Sequence, residues 1–93
     1  YEAPISECIF NSKYYKNITV QLHVDCPTCD KGPHYMLLDL SLPDKKYGLG
    51  CMRCHQHLGR IKRTDRFDGA CSIVVYSSVF KGCLSVVKFE ASP

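Results

Sequence analysis

Two Cys-x-x-Cys pairs, Cys26/Cys29 and Cys51/Cys54, stand 21 residues apart in a chain of 93. A chain this short buries a limited core and commonly needs a covalent or metal staple. Four paired sulfurs are the strongest constraint on how this one closes. The chain has seven cysteines in all, so a disulfide framework is the first rival to a metal site. The odd number leaves one thiol over. Cys8, Cys71 and Cys83 stand alone, whereas the four paired cysteines form two matched turns. The separation lies just outside the 15–20-residue spacer typical of four-cysteine zinc sites. Metal ligation by Cys26, Cys29, Cys51 and Cys54 is the reading preferred over disulfides and over inert packing.

The chemistry supports that choice. Zinc takes tetrahedral thiolate ligation at about 2.3 Å per bond, and a tight turn can aim both sulfurs of a Cys-x-x-Cys at one ion. Pro27 fixes the backbone directly after the first ligand. Gly48 and Gly50 precede the second pair and are expected to supply unusual backbone angles there. Backbone amides in such turns donate to the thiolates and spread their charge. Four cysteines leave no open coordination position, so one zinc ion would be structural and the chain is not expected to be an enzyme. "CPTC" overlaps the second half of the zinc-deaminase signature, yet no His-x-Glu precedes it; Val24 and Asp25 follow His23. His55 and His57 adjoin Cys54 and are alternative ligands, with exposed knuckle residues the plainer reading. His34 is expected in a loop. Cys8, Cys71 and Cys83 fit small buried hydrophobes, and nothing favours a nucleophilic pairing of Cys71 with His23.

Secondary structure follows from alternation. In "ITVQLHVD", Ile18, Val20, Leu22 and Val24 share one face and Thr19, Gln21, His23 and Asp25 the other, a half-buried strand running into the first pair. "HYMLLDLSL" is a second strand with Met36, Leu38, Leu40 and Leu42 on one face; a short helix is the alternative. "PDKK" is a turn and "LGRIKR" a further strand. "ACSIVVYSS" and "CLSVVKFE", joined by "VFKG", predict a C-terminal hairpin. "SKYYKN" is a polar stretch, and a helical turn is expected near the start of the chain. No apolar run approaches a membrane span. The hydrophobic content of 45% is that of a globular chain. One domain, residues 1–93, is expected, cut from a longer protein because the chain opens without an initiator Met.

On "CPTC" and "CMRC" and their β-type flanks, the chain resembles the zinc-ribbon class over about residues 24–57. The resemblance agrees with the all-β, mainly antiparallel domain that the alternation predicts, with two Cys-x-x-Cys knuckles on neighbouring hairpins; thiolate ligation of zinc implies a reducing, intracellular setting, nuclear or cytoplasmic. A weaker likeness, in "CMRCHQHLGRIK", is to the Yippee-like and cereblon-type β-tent domains. The chain has no Trp, so their ligand pockets are not carried over.

Charge is uneven. The window 44–66 holds Lys45, Lys46, Arg53, Arg60, Lys62, Arg63 and Arg66 against Asp44 and Asp65, a net +5 within a chain of net +3. A basic surface there would contact phosphates largely without reading sequence, and Tyr14, Tyr15, Tyr35, Tyr47 and Phe67 would offer stacking faces for single-stranded bases. The expected partner is therefore nucleic acid, RNA or single-stranded DNA. On alternation, Arg60 and Lys62 share one face, while Ile61 and Arg63 share the other. The alternatives are a protein-docking module, with "SIVVY" and "LSVVKF" offering strand edges, and a zinc-finger subdomain of a larger enzyme. A solvated rim of charge is the plainest alternative of all.

Overall fold

The computed structural model describes residues 3–11, 13–15, 18–26, 28, 33–79 and 87–92. Seven strands lie among the described residues: β1 Ala3–Asn11, β2 Thr19–Asp25, β3 Pro33–Asp39, β4 Lys46–Gly50, β5 His57–Asp65, β6 Ala70–Ser77 and β7 Lys88–Ser92. They form two antiparallel sheets, one ordered β1-β6-β5-β4 and the other β3-β2-β7. The fold is all-β, and no helix occurs among the described residues.

Alternation sets each strand's inner face. Ile18 and the β2 residues Val20, Leu22 and Val24 are fully buried, while Gln21 between them is exposed. From β6 come Cys71, Ile73, Val75 and Ser77, and from β4 and β5 Leu49, Leu58 and Ile61. The apolar members of both sets belong to one contiguous core, against which Met36, Leu38 and Phe89 pack. The two sheets therefore face each other as a sandwich, because each is apolar on one side only. Leu42, expected on the inner face of the second strand, is instead 56% exposed, because β3 ends at Asp39 and the chain turns away.

A bulge shapes β5. Leu49 faces Gly59, but Gly50 faces His57, so Leu58 is an extra residue in the ladder. Leu58 and Ile61 both reach the core as a result, and the strand bends just where it leaves the second cysteine pair.

The predicted C-terminal hairpin is corrected by the structure. β7 pairs with β2 in the other sheet, Leu22 facing Phe89. β6 has no edge to offer, because β1 and β5 occupy both of its sides. "SIVVY" is accordingly a central segment and not a docking edge; the joining segment "FKGCLSV", residues 80–86, lies outside the described residues. Within "SKYYKN" only residues 13–15 are described; the Tyr14 amide donates to the Asn11 carbonyl at 3.1 Å and closes a turn there. The predicted backbone strain is also relocated. Gly48 and Gly50 are not left-handed; among the described residues the positive φ values fall on Asp44 (60°), His55 (61°) and Gly69 (83°).

The segment that carries the chain from one sheet to the other is tied down closely. The Leu40 amide donates to Ile18 at 2.7 Å, and the Asp44 amide to Arg63 at 2.8 Å. The Tyr47 hydroxyl donates to the Leu42 carbonyl at 3.1 Å and accepts the Leu42 amide at 3.2 Å. The β4–β5 hairpin is thereby set against the end of the β2–β3 hairpin.

Candidate metal centre and basic face

Each cysteine turn grows from a strand end. β2 stops at Asp25 and delivers Cys26, 4% exposed, at the rim of the core. β4 stops at Gly50 and delivers Cys51, 3% exposed, with Cys54 on the outside. Local hydrogen bonds shape the second turn. The Cys51 amide donates to the Gln56 carbonyl and the His55 amide to the Cys51 carbonyl, both at 2.9 Å. His55 takes the left-handed conformation that returns the chain to β5. The amides of Arg53 and Cys54 both point at the Cys51 sulfur, at 3.4 Å. Two N–H groups aimed at one sulfur are the contacts that spread the charge of a metal-bound thiolate.

The three described sulfurs of Cys26, Cys51 and Cys54 lie within 4.8 Å of one another. Cys26 Sγ and Cys54 Sγ are 3.7 Å apart. Two thiolates on one tetrahedral zinc ion, each about 2.3 Å from it, stand about 3.8 Å apart. A disulfide would hold them at about 2.05 Å. The donor set, its spacing and the amides aimed at Cys51 all fit a metal ion. These three cysteines form a cluster able to hold one. Cys29 lies outside the described residues. His55 and His57 do not belong to the cluster, and both are exposed. A further tie joins the two turns beside the sulfurs: the Thr28 hydroxyl donates to Gln56 Oε1.

The seven basic residues of the 44–66 window divide. Lys46, Arg60 and Lys62 come together with Tyr76 around a shallow groove of about 360 Å³. Adjacent strands of one sheet bring them there: Lys46 faces Lys62, Gly48 faces Arg60, and Arg60 faces Tyr76. Arg53 is exposed on the metal-side turn, and Lys45 lies 5.3 Å from the centre of the Tyr47 ring. Arg66 sits at the far end of β5, about 30 Å from the cysteine turn for a nine-residue strand, paired with Asp68 at 3.6 Å.

Arg63 departs from the group. It is 5% exposed, and it donates from Nη1 to the Leu40 carbonyl and from Nε to Asp65 at 3.2 Å. Its alternation with Ile61 turns it inward, so it is not available to a surface partner. The stacking candidates divide too: Tyr14, Tyr35 and Phe67 are exposed, while Tyr15 lies edge-on to Phe10 at 5.9 Å and Tyr47 is engaged with Leu42. Tyr76, the ring that lines the groove, was not singled out from sequence. The available signal was its outward phase in β6, but nothing local shows that β6 lies beside β5.

Other expectations about cysteine and histidine resolve simply. Cys71 is fully buried in the core and Cys8 half-buried, as small apolar residues would be; Cys83 lies outside the described residues. Burial pushes the Cys71 thiol above its ordinary pKa, with Arg63 pulling it down and Asp65 pushing it up. His23 lies away from Cys71, on the outer face of its sheet, edge-on to Tyr35 with ring centres 4.6 Å apart and Nε2 3.9 Å from Glu90. No helix among the described residues is long and apolar enough to cross a membrane. In comparisons with known proteins, no family model, no curated protein and no solved structure matches this chain.

Proposed function

We propose that the chain is a non-catalytic module in which one structural zinc ion, held by Cys26, Cys29, Cys51 and Cys54, secures a β-sandwich whose basic face binds nucleic acid. The observation that carries the binding half is the gathering of Lys46, Arg60 and Lys62 on one outward groove. Three cations on a rigid sheet meet phosphates with little further loss of side-chain freedom. Arg53 and Lys45 extend the positive field beyond the groove, and Arg66, paired with Asp68, marks the far end of the strand. Four thiolates would leave the ion no position for substrate, which supports a structural role. Unoxidised ligand thiols accord with a reducing compartment.

The test is a binding titration over a series of salt concentrations, using single-stranded RNA, single-stranded DNA and duplex probes. The wild-type chain should bind with a steep salt dependence. Reversing Arg60 and Lys62 together to Glu should abolish binding and leave metal content and fold intact. Each lost phosphate contact flattens the salt slope by about one unit. Absence of salt-sensitive binding to every probe overturns the reading.

A protein-docking role is the second reading. It is favoured by Leu37 and Tyr35 on the edge strand β3, 74% and 58% exposed. Binding through that edge would tolerate salt and fail on Leu37→Asp.

A further inference from the structure

The groove on the outer face of β4, β5 and β6 has features that a general attraction for phosphate does not need. Lys46 and Lys62 stand directly opposite each other across the β4–β5 ladder. Like charges so placed repel and cost stability unless an anion lies between them. Across the same ladder from Arg60 the position is Gly48, and a Cβ built there meets nothing within 4 Å. Its backbone is not left-handed, so glycine is not required there by conformation. What the missing side chain leaves is a notch between Lys46 and Arg60. On the other side of Arg60, directly opposite it on β6, is Tyr76.

Cations on one side and an aromatic ring on the other are the two halves of single-strand recognition: charge follows the backbone, and a ring takes a base. A duplex offers its phosphates outward but keeps its bases stacked inside, where Tyr76 could not reach them. We propose that this groove is a subsite for one unstacked nucleotide of a single strand. Its phosphate lies among Lys46, Arg60 and Lys62, its base lies against the Tyr76 ring, and the notch at Gly48 admits it. This rests on the reading of the basic face as a nucleic-acid surface, and it adds a preference for single strands and the ring and the opening that create it. The volume of about 360 Å³ suits one small ligand and not a longer stretch of chain.

The experiment is an anisotropy titration of the whole chain, zinc-loaded, against a labelled single-stranded pyrimidine oligonucleotide and a duplex of equal length, over a range of salt. Four proteins are compared: wild type, Tyr76→Leu, Tyr76→Phe and Gly48→Val. Thermal melting confirms the fold of each. The single strand should bind wild type at least about tenfold more tightly than the duplex. Tyr76→Leu should weaken single-strand binding about 5- to 150-fold, the value of one base–aromatic stack, and leave duplex binding and the salt slope unchanged. Tyr76→Phe should restore it. Gly48→Val should weaken single-strand binding with no change of charge and no loss of melting temperature. If duplex and single strand bind equally, or if Tyr76→Leu and Gly48→Val both bind as wild type while reversal of Arg60 and Lys62 abolishes binding, the subsite is overturned and the general basic surface stands. If no probe binds in a salt-sensitive way, the surface itself is overturned and the subsite with it.

Discussion

The guanidinium of Arg63, carried by β5, donates to the backbone carbonyl of Leu40, the first residue beyond the end of β3 in the opposite sheet. A full charge is thus held between the layers, with Asp65 on its second side and the Asp44 amide on its own carbonyl. Arg63→Ala leaves the Leu40 carbonyl without that donor. A buried hydrogen bond to a charged group is worth about 1.5–3 kcal/mol, and chemical denaturation should show a loss of that size. Arg63→Lys should recover only part of it, because an ammonium cannot serve two directions as a planar fork does. Neither change should alter the salt slope of nucleic-acid binding; a flatter slope would return Arg63 to the surface.

Cys26→Ser and Cys54→Ser each remove a sulfur from the cluster. Structural zinc contributes about 10–16 kcal/mol in small zinc domains, comparable to or larger than the whole stability of an ordinary domain. Both variants should lose metal by elemental analysis and fail to melt cooperatively, and a chelator should do the same to wild type. Cys71→Ala should keep its metal and lose only about 1–2 kcal/mol, the cost of a small cavity. A metal-free chain that melts like the loaded one would dispose of the structural ion.

Lys46→Thr separates binding from stability. It removes one of two like charges that face each other, so the free protein should gain about 0.2–1 kcal/mol in low salt. The gain should shrink as salt screens the pair. The same change should weaken nucleic-acid binding. Differential scanning calorimetry at low and high salt, beside a binding titration, reads both. A destabilised variant would mean that the two ammonium groups do not feel each other.

Alkaline pH should act through Cys71. Burial raises its pKa in the folded chain, so the folded state keeps a proton that the unfolded chain gives up. That contribution is complete below the unfolded thiol value of about 8.5 and disappears as pH rises through the higher folded value. Across that interval wild type should lose stability faster than Cys71→Ala, by at most about 1.4 kcal/mol per pH unit for one proton. Parallel curves from denaturant titrations would show that the thiol does not take part.

Where one face is wet and the other buried, sequence alone was enough. β2 alternates without interruption because the core and the solvent select opposite residues at each step. The second cysteine turn was legible for a similar reason: a Cys-x-x-Cys is a local object, complete within four residues. β1 was missed because "APISECIFN" mixes polar and apolar positions along a bulged edge. β4 was missed because its five residues include two glycines. The partner of β7 could not be read locally, since it depends on which strands had already filled the sides of β6. Arg63 shows how two sequence signals compete. Alternation turned it inward with Ile61, while the charge count drew it into the surface group, and burial follows alternation. The glycines needed coordinates. A Cβ on Gly59 would run into the Tyr76 carbonyl, whereas one on Gly48 would meet open space, and nothing in "YGLG" or "LGR" tells them apart.

The pairing of β1 with β6 sets an order of events during synthesis. Glu7 is matched with Val74 and Phe10 with Cys71, so the described partner of β1 lies more than sixty residues further along the chain. A ribosome adding about 5–20 residues per second needs roughly three to thirteen seconds to cover that distance. Both cysteine turns are made by residue 54, before any of β6 exists. The hairpins that carry the cysteine turns can therefore assemble while β1 still waits, and β1 joins only when β6 brings its edge. During that interval the nascent chain exposes an unpaired strand whose half-buried Ile5 and Phe10 have nowhere to pack.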